Sequence, residues 1–236
     1  MNLKCWECQK EIEAARDVEP YFSWRTGQYY DAKFKYRRVY CAECDERVKK
    51  QYKSEHEMYI SLKSKFMLER AINIIEEQNI DVYEYEEAIK AVSEKLLANP
   101  QKFKSAEEVV SAIVLISNRI HIKVNHKVGK YIADILIPSL SCVVEIDGYT
   151  HNSEKVSAAD GKRDVDMRNM LGREWETVRI PTRFIHQNAL KLPDAIIGLK
   201  KAMQEQRAKN NGILPDAFAK RFRAHYKKIL ASGEKT

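Results

Sequence analysis

Four of the five cysteines fall in two Cys-x-x-Cys pairs, Cys5 with Cys8 and Cys41 with Cys44. Two residues between cysteines let one tight turn present both sulfurs to the same ion, and zinc takes four such ligands at tetrahedral corners. The 32 residues between Cys8 and Cys41 match a zinc ribbon with a hairpin insertion. Four thiolates leave no open position for water, so such a zinc is structural and not catalytic. The alternative is two unrelated pairs of buried or reactive thiols. Cys142, inside an apolar run, reads as a core residue.

A second concentration of chemistry lies further along, in Val128-Gly-Lys-Tyr-Ile-Ala-Asp134, then Cys142-Val-Val-Glu145-Ile-Asp147-Gly148, then His151. Side chains alternate along a strand, so Glu145 and Asp147 share one face while Ile146 takes the other. Asp134 belongs to the preceding strand across a short turn, and carboxylates from neighbouring strands can converge within a few ångströms. Mutual repulsion makes that costly unless a cation or a proton sits between them. Mg²⁺, a hard ion, suits oxygen ligands of this kind. The competing reading makes these acids ordinary polar positions on the wet face of an antiparallel hairpin.

The elements that must position these groups are legible in outline. Aromatics (Tyr21, Phe22, Trp24, then Tyr29, Tyr30, Phe34, Tyr36) flank the turn Thr26-Gly27, a hairpin signal that would return Cys41 and Cys44 to the first pair. These aromatics read as packing of the small ribbon before they read as a stacking platform for bases. From Asp45 to about Gln78 there is no Pro or Gly, and Met58, Leu62, Phe66, Ile72 and Ile75 recur at helical spacing, predicting one long helix or two in succession. Another helix spans about Val82 to Leu97 and stops before Asn99-Pro100. Ser105 with Glu108 has capping-box spacing ahead of the apolar run Val109 to Ile116. Lys130 to Pro138 and Ser141 to Asp147 read as strands joined at Pro138-Ser139, Asp160 to about Leu171 as a polar helix, and Trp175 to Ile180 as a strand. Helices over Leu192 to Lys209 and Asp216 to Leu230 close the chain. The expected organisation is a zinc ribbon at 1–46, a helical region at 47–100, a catalytic core at 101–190 and a basic helical tail at 191–236, an α+β protein overall.

The run Gly129 to Asp134, with Val143-Val-Glu145-Ile-Asp147-Gly148-Tyr-Thr-His151, Arg163-Asp164 and Trp175-Glu-Thr-Val-Arg179, resembles the nuclease core of the very-short-patch-repair endonucleases and their restriction-like relatives, of the PD-(D/E)xK superfamily. The resemblance covers roughly residues 105–185. It implies a restriction-endonuclease-like core, a mixed sheet flanked by helices, in which Asp134 and Glu145 hold a catalytic Mg²⁺ or Mn²⁺. It further implies that His151 moves a proton at the water or the leaving oxygen, and that Glu107 or Glu108 completes the outer ring. Position 147 is Asp where the wider superfamily usually has Lys, and Asn125 stands where relatives often have Gln. Asp160 to Leu171 does not phase cleanly with the usual helix, which leaves Arg163 and Arg168 as alternative phosphate contacts.

A formal charge of +7 and a pI near 9.0 suit a polyanionic partner. Lys and Arg gather at Lys33 to Arg38, Lys49 to Lys53 and Lys220 to Lys228, clusters that also read as solvated helix faces. With no apolar stretch near the roughly 20 residues that cross a bilayer and no signal-peptide pattern at the start, a cytoplasmic protein is expected, with no membrane partner and no small-molecule cofactor. The expected function is a metal-dependent DNA endonuclease, double-stranded DNA its partner and a homodimer its assembly if both strands are cut. The alternative is a catalytically inactive nuclease fold that binds nucleic acid or protein.

Overall fold

The computed structural model describes residues 3–12, 20–23, 28–31, 39–147 and 154–214. The turn Thr26-Gly27, the basic runs 33–38 and 220–228, His151 and the helix expected over 216–230 lie outside the described residues. The chain divides into two units, 1–113 and 114–236. The protein is mixed α and β. Among the described residues no helix is long and apolar enough to cross a membrane.

In the first unit, strands β1 (Pro20–Ser23) and β2 (Gln28–Asp31) pair antiparallel, Pro20 opposite Asp31, as the aromatic-flanked turn predicts. The Pro-free and Gly-free stretch forms two helices in succession, α1 (Ala42–Lys49) and α2 (Glu55–Glu76). Ser54 starts α2 by accepting a hydrogen bond from the Glu57 amide. The buried face of α2 carries Ser64, Met67, Ala71, Ile74 and Ile75. Of the apolar residues that the spacing singled out, Met58 and Ile75 are buried, while Leu62, Phe66 and Ile72 are half-buried. The small residues Ser64 and Ala71 let backbones approach: the Ser64 hydroxyl donates to the carbonyl of Leu96 in α3 (Glu86–Ala98) at 3.3 Å. Helix α4 (Ala106–Ser117) has the expected cap, with the Glu108 amide donating to Ser105 Oγ at 3.2 Å while the Glu108 carboxylate reaches back to the Lys104 amide. Its run Val109 to Leu115 is wholly buried, as befits a helix that is apolar on every side.

The second unit is built on a four-stranded sheet in the order β3-β4-β5-β6, formed by Lys123–Val128, Tyr131–Ile137, Cys142–Asp147 and Glu176–Pro181. The first three strands are an antiparallel meander, and β6 runs parallel to β5 after a crossover through α5 (Glu154–Leu171). The β4–β5 hairpin turns at Pro138–Leu140, with Ser141 left-handed at φ 43°, and Cys142 is fully buried. Strand β3 and the short helix α6 (Thr182–Asn188) were not foreseen from sequence; α7 (Leu192–Lys209) lies where expected.

Alternation gives the sheet two distinct faces. Val143 and Glu145 of β5 and Thr177 and Arg179 of β6 share the face that meets α5, where Met167 packs with Val143, Leu136 and Val128. Val144, Val178 and Ile180 belong to the opposite face, together with Glu176, whose carboxylate meets Arg207 of α7 at 2.6 Å. Arg168 of α5 adds a second contact to Glu176 at 3.7 Å. With its side chain 1% exposed, Glu176 is a buried anion held by two guanidinium groups. Removing one side of such a pair leaves charge uncompensated, which costs about 3–5 kcal/mol. Glu176→Ala is expected to lower stability by that amount, read as a fall in the urea midpoint.

The β3–β4 turn has two residues, Gly129 and Lys130, and Gly129 is left-handed at φ 57°. A side chain at Gly129 would strain that backbone and would first meet the thioether of Met170, a flexible group that can move aside. Gly129→Ala should therefore cost about 1–2 kcal/mol, mostly from the backbone, by the same denaturation measurement.

Candidate functional site

Two groupings of reactive side chains stand out, one in each unit. In the first, Cys5 opens a compact knuckle: its amide donates to the Lys10 carbonyl, the Gln9 amide returns to the Cys5 carbonyl, and Gln9 is left-handed at φ 59°. The Trp6 amide donates to the carbonyl of Val39 at 2.9 Å, which draws the second cysteine pair alongside the first. Cys41 is the N-cap residue of α1 and Cys44 lies in its first turn. The second pair is thus mounted on a helix start instead of a second free knuckle.

The Cys8 and Cys41 sulfurs are 3.8 Å apart, and all four sulfurs lie within 4.8 Å of one another. A Zn–S bond of about 2.3 Å gives a tetrahedral edge of about 3.8 Å, so four-sulfur ligation of zinc fits this spacing. Cys5 and Cys44 are buried, Cys41 is half-buried and Cys8 is exposed. Burial opposes ionisation of Cys5, but amide hydrogen bonds from Cys8, Cys41 and Glu7 outweigh it and bring that thiol down to about 6. Cys44 is pushed up to about 12, first by its hydrogen bond with Cys41 and then by burial. Arg47 donates to Cys44 Sγ at 3.3 Å and bridges to Glu7 at 3.0 Å. Among the described residues these cysteines are the one group of three or more His, Cys, Asp or Glu side chains placed to hold a metal ion.

In the second unit, Asp134 and Glu145 are both buried, 7% and 6% exposed. The β4–β5 pairing ends at Ile135 opposite Val144, so Asp134 and Glu145 are the residues just beyond the paired register on neighbouring strands. Ladder bonding gives way there: Asp134 Oδ2 accepts the Ile146 amide at 3.1 Å. On the other side of Asp134, the pairs Val124–Ile135 and His126–Ala133 bracket Asn125, whose φ of 45° is unusual for a residue inside a strand. Arg179 is the β6 partner of Glu145.

Helix α5 reaches Glu145 and Arg179. Arg163 Nη2 donates to Glu145 Oε1 at 2.8 Å and to the Ile132 carbonyl at 2.6 Å, while Asp164 accepts from Arg179 Nη2 at 2.8 Å. The Arg163 guanidinium also sits 5.9 Å from the centre of the Tyr131 ring, whose hydroxyl donates to Asp166 at 2.6 Å. That hydrogen bond, more than the Lys130 ammonium at 3.4 Å, holds Asp166 below the usual carboxylate range.

Of the residues singled out from sequence, Asp134 and Glu145 are both buried, on neighbouring strands, and Asp147 follows Glu145 two residues on along β5. Glu108 belongs to the first unit, where it caps α4. Arg163 engages Glu145; Arg168 engages Glu176 and the Arg173 carbonyl. Tyr131, Asp164 and Arg179 were not singled out as site residues, although the period-two pattern of β6 held the signal for Arg179. Comparison with protein-family models, curated proteins and solved structures finds no match.

The four-sulfur geometry has a spectroscopic test. Co²⁺ added to the metal-free chain should give the sulfur-to-metal charge-transfer and d–d bands of a tetrahedral thiolate site, saturating near one equivalent, and Cys5→Ser should abolish them.

Proposed function

We propose that the second unit is a metal-dependent DNA endonuclease centred on Asp134 and Glu145, and that the four-cysteine cluster holds a structural zinc. One observation carries the catalytic reading: two carboxylates, Asp134 and Glu145, are buried on neighbouring strands, with Asp134 reaching the Ile146 amide next to Glu145, an arrangement a binding surface does not require. Mixed sheet and flanking helices suit the nuclease core that the sequence resembles. The donor set suits Mg²⁺ or Mn²⁺, which is typically held by one or two carboxylates with substrate phosphate supplying further oxygens. Such an ion would lower the pKa of bound water and shield charge on the phosphate.

The chain's own groups divide the remaining work. Asp134 is oriented by the Ile146 amide and Glu145 by Arg163, so both carboxylates are held before substrate arrives. Asp147 follows Glu145 two residues on, at the strand end. His151 is the residue proposed to move a proton, at the water or at the leaving oxygen. Of the two alternatives on α5, Arg163 is the proposed phosphate contact, since Arg168 is engaged with Glu176 and the Arg173 carbonyl, and the basic surplus of the chain would make binding weaken steeply with salt.

A second reading, a nuclease fold that binds without cutting, draws on one observation: Glu145 already has a cation in Arg163. Cleavage of plasmid and labelled single-stranded DNA with Mg²⁺ or Mn²⁺ separates the two. The enzyme reading expects metal-dependent cutting, lost on EDTA and reduced about a hundredfold or more in Glu145→Ala. DNA binding without cutting, equal in both proteins, would establish the binding module instead.

A further inference from the structure

We infer that Arg163 is a resident counter-cation of the Asp134–Glu145 pair, displaced from Glu145 when a divalent ion binds and thereby released to a phosphate oxygen. The inference rests on the nuclease reading and adds an order of events to it: metal and nucleic acid load together.

Three observations carry it. First, Arg163 holds Glu145 with a single nitrogen, Nη2, which it shares with the Ile132 carbonyl. A guanidinium has five N–H donors and its strongest carboxylate contact is the two-pronged one. This contact is the weaker, one-pronged form. Second, Arg163 Nε is buried with no hydrogen-bond partner. A buried donor left unmade disfavours the resting position relative to one that satisfies it. Third, the Tyr131 ring lies beside the guanidinium, and Tyr131 is itself fixed through its hydroxyl to Asp166. A flat, anchored ring lets the cation shift along it while keeping the attraction to the π face.

Charge dictates the competition. A guanidinium and a divalent ion both seek Glu145 Oε1, and the ion brings twice the charge to the two carboxylates. While Arg163 occupies Glu145, metal binding must first break a partly buried ion pair, so the site is weak for metal alone. A phosphate that accepts the released guanidinium repays that loss. By linkage, each ligand then strengthens the other by the same factor. Arg163 is a positioning residue in this scheme; it acts on metal affinity through Glu145.

The test measures free Mn²⁺ by electron paramagnetic resonance against the full-length chain, with and without a short DNA duplex. It compares the natural protein with Arg163→Gln, Arg163→Lys and Asp134→Asn. Arg163→Gln should bind Mn²⁺ roughly tenfold more tightly in the absence of DNA, since one charge-assisted hydrogen bond no longer competes. Arg163→Lys, which keeps the charge, should stay near the natural protein, and Asp134→Asn should lose the site. The duplex should tighten Mn²⁺ binding for the natural protein and much less for Arg163→Gln. A merely structural lesion would weaken binding, not strengthen it. Equal or weaker Mn²⁺ affinity in Arg163→Gln, with Asp134→Asn still silent, would overturn the role of Arg163 and leave the metal centre standing. Absence of Mn²⁺ binding in every protein would remove both.

Discussion

Carboxylates cannot be buried in a protein interior without compensation, and in the second unit Asp134 and Glu145 both meet that requirement. Asp134 and Glu145 are buried on the neighbouring strands β4 and β5, just beyond their paired register. Each then needs a partner that strand pairing does not supply. Asp134 takes the Ile146 amide, at the point where the ladder opens; Glu145 takes a guanidinium from the helix above. That second demand sets the rotation of α5, because the turn that delivers Arg163 to β5 also delivers Asp164 to Arg179 and Met167 to the apolar floor. Charge satisfaction and core packing select the same helix phase, a consistency expected of a sequence that specifies one structure.

The parity of β6 extends this logic through the sheet. Arg179 looks toward α5, and Glu176, three residues earlier, looks toward α7 and Arg207. An odd offset along a strand is enough to tie the same strand ionically to helices on both faces. Arg168, one helical turn beyond Asp164, reaches Glu176 as well, so α5 is joined to both ends of β6. Thr177 and Val178 between them fill the two apolar layers.

What the sequence disclosed was local. Cysteine spacing, the Ser105 cap, the Pro138 turn and the alternation of Glu145 with Ile146 depend on neighbours within a few residues, and each is found in the structure. Strand β3 was missed even though Val124, His126 and Val128 alternate, because polar residues interrupt the run and only pairing with β4 makes it a strand. The first turns of α5, Glu154 to Asp160, carry no apolar stripe to announce a helix. On α2 the reading favoured bulky residues, whereas close helix approach rewarded Ser64 and Ala71. The choice between Arg163 and Arg168 was out of reach for the same reason: helix phase is settled by Met167 meeting Val143, a contact between segments far apart in the chain.

Mounting half of the four-cysteine cluster on the start of α1 has a consequence for the charge of the whole molecule. Four thiolates around a dication make an anion of net charge −2, and a helix N-terminus, with its unpaired amides, is a favourable seat for one. The formal +7 of the chain counts every cysteine as neutral. With the ion in place the total falls by two, all of it within the first unit. A polyanion approaching the loaded protein would therefore be turned away from the cysteine cluster and toward the lysines and arginines elsewhere, so the metal would orient the field of the molecule as well as holding its N-terminal fold.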